Sequence, residues 1–248
     1  MRTLPQELVD KIIDQLASQE IRLFYNIAPC SLVSRAWVTR IQQHVFEFII
    51  FHDSEKLGRW CRKIEPDPAG VSRHTRHLIF YNIDTLTGVE KHIRAFTRVE
   101  KMEINQCNFL LLPSVAECFA PMGSSLTKLE ICESPTSSCI ITSMLAALPQ
   151  LKDFSLEDSN ISDDMDGTSL LPRIPFFEGN NSLTLNSHLD QHDPPGPPDW
   201  IPPSAQFEHL EIDTPYFLYK AVLLNQWFSH SCMTLTSLAI LGDPDRKS

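Results

Sequence analysis

His188, His192 and Asp193 come nearest, in residue type and spacing, to a reactive centre. Two histidines four apart share one face of a helix, which is how hydrolytic zinc sites hold their metal. That chemistry also needs a general-base glutamate between them, and Leu189, Asp190 and Gln191 stand there instead. Pro194 and Pro195 follow at once and deny the pair its helix. Asp158 to Gly167 has the look of a calcium loop. Setting Gly167 at the required sixth position puts Ser162 at the first and Arg173 at the twelfth, where a bidentate glutamate is needed. His74 and His77 flank the start of an expected strand and read as polar residues at its edge. No G-x-S-x-G or phosphate-cradling glycine loop occurs among the 8 glycines. A cysteine nucleophile needs a base and an electropositive setting; Cys107 falls at a turn and Cys30 on a helix, where packing explains both. The reading is of a chain without catalytic, metal or cofactor residues.

Composition narrows the class further. The 248 residues suit one large domain or a small and a medium one. The 42% hydrophobic content supports a sizeable core. A net charge of −10 lacks the basic footprint that nucleic acid demands. Seven cysteines, an odd number with no Cys-x-x-Cys, suit reduced thiols in an intracellular protein better than a disulfide framework. Glu7, Asp10 and Lys11 interrupt any apolar signal core, and the run Val45 to Phe51 is too short to span a bilayer. The expectation is a cytoplasmic or nuclear protein, with neither membrane nor nucleic acid as partner.

The elements that must position any surface begin at the N-terminus. Leu4, Leu8, Ile12 and Leu16 fall at steps of four and build an apolar stripe on a helix. Pro5 suits the first turn, and Glu7 then lies where a carboxylate complements the positive helix end. Val33, Trp37, Ile41 and Val45 repeat the spacing, with a basic flank at Arg35 and Arg40. A unit this short cannot bury a large core alone, so part of its apolar surface is left for a partner.

The ordered pattern L-P-x-E-L-x-x-x-I-x-x-x-L, then C-x-L-V-S-R-x-W, over residues 4 to 37, resembles an F-box. That is the short helical module that docks on the Skp adaptor of a cullin-type ubiquitin ligase. It looks most like the F-box proteins of mushroom-forming fungi, where a leucine-rich-repeat-like tail follows. One departure is Ile21 to Pro29, which holds the place of the middle helix but ends in a proline against the third.

A degenerate repeat runs through the rest. Val99, Met102, Ile104, Cys107 and Phe109 fit the leucine-rich template L-x-x-L-x-L-x-x-N/C-x-L. The frame returns at Leu126/Leu129/Ile131, at Leu151/Phe154/Leu156 and at Phe207/Leu210/Ile212 with Phe217. Weaker copies start at Thr75, Asn180 and Leu235, and successive starts lie roughly 24 to 29 residues apart. Helical spacing intervenes at Val89/Ile93/Phe96, Val115/Phe119/Met122 and Ile141/Leu145/Leu148, with Val222 and Trp227 as a later version. The expected fold is α/β: an all-helical F-box module over 1–50, a connecting segment over 51–70, and a leucine-rich-repeat-like solenoid over 71–248. It carries an irregular Pro-rich insertion at about 186–203, with Trp200 amid the prolines. No C-terminal cap is visible after Leu241, so a truncated chain is one expectation.

The resemblance implies a substrate-recognition adaptor of an Skp–cullin–F-box ubiquitin ligase. Partners would be the Skp-family adaptor, through it a cullin, and an unidentified target. Leu4, Pro5, Leu8 and Ile12 would meet the adaptor, with Leu32, Val33 and Trp37 contributing. Alternate strand positions Glu103, Glu130, Asp153, Ser155 and Glu211 would line the target-binding face, read either as solvated acidic surface or as a seat for a basic target. A non-degradative scaffold and a non-functional family copy are the alternatives.

Overall fold

The computed structural model describes residues 5–18, 28–64, 68–112, 114–159, 161–162, 174–178, 181–186, 201–202, 205–213 and 235–241. Helix α1 (Gln6–Ser18) begins directly behind Pro5, whose carbonyl accepts the N–H groups of Leu8 and Val9 at 3.1 and 3.3 Å. A 3-10 turn (Ala28–Leu32) leads into α2 (Arg35–Glu47). Val9, Ile13 and Ile41 form a small buried core between the two helices, with Ala17, Cys30, Trp37 and Val45 packed against it. The inward face of α1 is therefore Val9 and Ile13, one residue on from the stripe that the spacing picks out. Leu8, Ile12 and Leu16 are instead exposed.

The larger body is a parallel sheet of eight strands in a mixed α/β arrangement. Its strands are β1 (Phe48–Phe51), β2 (His77–Tyr81), β3 (Lys101–Asn105) and β4 (Lys128–Cys132), then β6 (Asp153–Glu157), β8 (Asn181–Asn186), β9 (Phe207–Asp213) and β10 (Ser237–Leu241). Two further short strands, β5 (Thr136–Ser137) and β7 (Ile161–Ser162), pair with each other outside it. Strand order in the large sheet follows chain order, so there is no topological switch point of the kind that makes a nucleotide crevice. The in-register residues Phe48, His77, Lys101, Lys128, Asp153, Ser182, His209 and Ser237 lie 24 to 29 residues apart. The sheet starts earlier than the expected boundary at 71. Strand β1 begins within the stretch read as helical module, and α3 (Ser54–Ile64) lies in the stretch read as a connector.

Alternation decides which side is covered. Leu78/Phe80, Met102/Ile104, Leu129/Ile131, Phe154/Leu156 and Leu183/Leu185 all point to one face and are buried. Against them pack α3, α4 (Pro68–Ser72), α5 (Glu90–Ile93), α6 (Val115–Phe119) and α7 (Ser138–Ala147), as one continuous core. Phe80 stands in the middle of that core, within 5.5 to 6.1 Å (ring centroids) of Phe51, Phe109 and Phe119. Each such ring contributes about 1.5–3 kcal/mol by leaving water. The poor copy at Asn180 is a full strand, because Leu183 and Leu185 alone supply the inward pair.

The chain turns the same way after β2, β3, β4 and β6. Asn82, Gln106, Glu133 and Asp158, each directly after β2, β3, β4 or β6, adopt φ of 47 to 55°. Each donates its N–H to the last residue of the next strand, at 2.9 to 3.0 Å. The Pro-rich excursion between Ser187 and Trp200, the helix expected around Val222 and Trp227, Phe217, and everything after Leu241 lie outside the described residues.

Candidate functional site

Two surfaces gather the residues that the sequence singles out. The first is the outer side of α1 and the turn before α2. Leu8 is 47% exposed, Ile12 42%, Leu32 88% and Val33 65%, and Pro5 is exposed as well. Apolar groups this open on so small a unit are left uncovered by its described residues. Trp37 behaves differently, being half-buried against the Val9/Ile13/Ile41 core. Leu4 lies outside the described residues. Leu16, at 37% exposure, extends the patch by one more turn.

Behind the patch the helices are clamped by charge. Arg40 donates from Nε and Nη2 to the two oxygens of Asp14, both at 2.6 Å, and His44 Nε2 stands 2.8 Å from Oδ1. The forked geometry suits a guanidinium and a carboxylate. The Arg40 hydrogen bonds hold the Asp14 carboxyl down at about 2, against the opposing effect of burial.

The second surface is the open face of the sheet. Register brings Glu103, Glu130, Ser155, Thr184 and Glu211 into one row across β3, β4, β6, β8 and β9. Asp153 stands one row away, in line with Lys101, Lys128 and Ser182. At the centre of this face the carboxylates are ion-paired. Lys101 Nζ lies 2.7 Å from Glu103 and 3.1 Å from Glu130, and Lys128 Nζ lies 2.8 Å from Glu130. His77 Nε2 adds a contact of 2.9 Å to Glu103. Burial opposes ionisation of Glu130, yet Lys128 and Lys101 outweigh it and hold the carboxyl below its ordinary value. Burial likewise pushes the His77 imidazole down, with Glu103 opposing. The lysines occupy the strand position two before each glutamate, an alternation that a search for apolar repeats passes over.

The face is graded along the sheet. Toward β1 it is apolar, with Ile50 and Tyr81 at 38% and 42% exposure. The ion pairs fill the middle. Toward β9 it opens into a shallow polar cleft of about 360 Å³, lined by Asp153, Ser155, Glu157, Thr184 and Glu211 among others.

Cys107 belongs to the scaffold. Ile83 N–H donates to Cys107 Sγ at 3.4 Å, Cys107 N–H to Ser134 Oγ at 3.0 Å, and Ser134 N–H to Ser159 Oγ at 3.3 Å. Each side chain donates back to its own strand end, Cys107 to Asn105 O, Ser134 to Cys132 O and Ser159 to Glu157 O. Sequence reasoning found Cys107 through the repeat template; Ser134 and Ser159 were missed because serine stands where the template asks for Asn or Cys. Burial pushes the Cys107 thiol up to about 11, which suits packing rather than attack.

Among the described residues no three His, Cys, Asp or Glu side chains gather as a metal site would require. His188 and His192 lie outside those residues. No described helix is long and apolar enough to cross a membrane. Comparison with protein-family models, with curated proteins and with solved structures finds no match.

Proposed function

We propose that this protein is a substrate-recognition adaptor of an Skp–cullin–F-box ubiquitin ligase, working inside the cell in the cytoplasm or nucleus. The observation that carries the reading is the exposed set Leu8, Ile12, Leu32 and Val33 on a clamped helix pair, at positions that match the F-box pattern. Aliphatic groups of this kind become interface anchors once a partner excludes water from them. The sheet supports the second half of the reading. Its strands run in chain order at 24- to 29-residue intervals, with one face under helices and one face open. Stacked leucine-rich-like units present such a face to partners.

The mechanism is proximity. The helix pair holds the chain on the adaptor, the open sheet face holds a target, and a separate conjugating enzyme supplies activated ubiquitin. The rate gain comes from the raised effective concentration of a target lysine near the thioester. Expressed with an Skp-family adaptor and a cullin, the tagged chain should recover both. Recovery of the adaptor without the cullin would favour a non-degradative scaffold, and recovery of neither would end the proposal.

A further inference from the structure

A cleft on the helical side of the sheet, away from both surfaces above, has a chemistry that the adaptor reading does not use. It encloses about 280 Å³ between α3 and the segment from Thr85 to His92. One wall is a single helical face, Ser54, Leu57, Gly58, Cys61 and Arg62, at steps of three and four. The other wall brings Thr85, Thr87, Lys91 and His92. Among the described residues no carboxylate lines it.

Three observations point to a ligand. His92 is 5% exposed and neither ring nitrogen has a hydrogen-bond partner. A buried imidazole left in that state calls for a water or a ligand group to complete it. Arg62 makes no ion pair or hydrogen bond within the described residues, and its Nη1 lies 3.6 Å from where a Cβ on Gly58 would stand. That guanidinium contact is also all that such a Cβ would meet. Packing therefore does not require glycine in the middle of α3, where it weakens the helix. A side chain at this lining position would project into the cleft.

We propose that this cleft binds a phosphate group. Arg62 supplies the planar, permanently charged donor that suits phosphate oxygens, with Lys91 as the second cation. Thr85 and Thr87, whose hydroxyls hydrogen-bond each other at 2.7 Å, leave one O–H as a neutral donor on the opposite wall. His92, whose ring nitrogens are both buried, gains a partner by turning its ring toward the bound group. Cys61 stays a bystander, because burial pushes its thiol up to about 11.

The test is calorimetric titration of the full chain with inorganic phosphate and, separately, with O-phosphoserine. Saturable binding is expected, weakened about tenfold or more in Arg62→Ala. Gly58→Leu should abolish binding while melting at or above the wild-type temperature, and His92→Phe should weaken it without loss of fold. Tighter binding of O-phosphoserine identifies a phosphorylated side chain as the natural ligand, and equal binding identifies free phosphate. Absence of saturable binding of either probe up to about 10 mM, far weaker than any specific site, overturns the proposal. So does binding that is unchanged in Arg62→Ala and Gly58→Leu. The adaptor plays no part in this experiment, so its outcome is independent of the ligase reading.

Discussion

Asp14 shows what one carboxylate does for the helix pair. Its folded value near 2 lies below the ordinary 3.8, so the group favours the folded state. That contribution is fully present above the unfolded value and is lost as pH falls through about 2. Both partners are about a third or more exposed, so solvent screening limits the pair to about 1 kcal/mol. Asp14→Asn should lower the melting temperature at pH 7 by a corresponding few degrees, and that difference should vanish on acidification. A shift that persists unchanged at pH 2 would contradict the ion-pair account. The thiols divide by the same logic. Cys61, Cys107 and Cys132 are all pushed up to about 11, chiefly by burial, whereas Cys139 is exposed. Alkylation of the native chain at pH 7 should modify Cys139 well before these three. Equal labelling rates would argue against the buried ladder at Cys107.

Among the elements, what was legible from sequence was what periodicity carries. Met102/Ile104 and Leu129/Ile131 mark their strands because alternate residues of a strand share a face. Strand β1 escaped because Phe48 to Phe51 is apolar at every position and shows no alternation. The stripe on α1 was shifted by one residue because Leu8, Val9, Ile12 and Ile13 are all apolar. Spacing alone does not say which pair a small core takes. The hydrogen-bond ladder was half legible, since its serines depart from the template. Ser134→Ala should leave the buried Cys107 N–H without an acceptor and cost about 1–3 kcal/mol, read by chemical denaturation. Loss of less than a few tenths would remove the ladder from the account. Two glycines should respond oppositely to alanine. A Cβ on Gly123 would stand 2.5 Å from the Ala147 carbonyl oxygen, whereas one on Gly58 meets only a side-chain tip. Gly123→Ala should lower the melting temperature and Gly58→Ala should raise it.

For the whole molecule, one core runs under the sheet and the apolar groups of α1 stay outside it. Phe80→Ala opens a hole at the centre of that core and should cost about 3–5 kcal/mol. By contrast, Leu8 and Ile12 contribute little to the fold, so they are free to serve a partner. The pattern singles out Leu8, Ile12, Leu32 and Val33, which are exposed, but says nothing of the neutralised centre of the sheet face. Charge pairing between Lys101 and Glu130 joins different strands, and only the register reveals it. The most direct measurement of the central claim is calorimetric titration of a purified Skp-family adaptor into the full chain and its Leu8→Glu/Ile12→Glu variant. The account predicts saturable binding to the wild type and its loss in a variant that melts like the wild type. Equal binding by both chains, or none by a folded wild type, would contradict it.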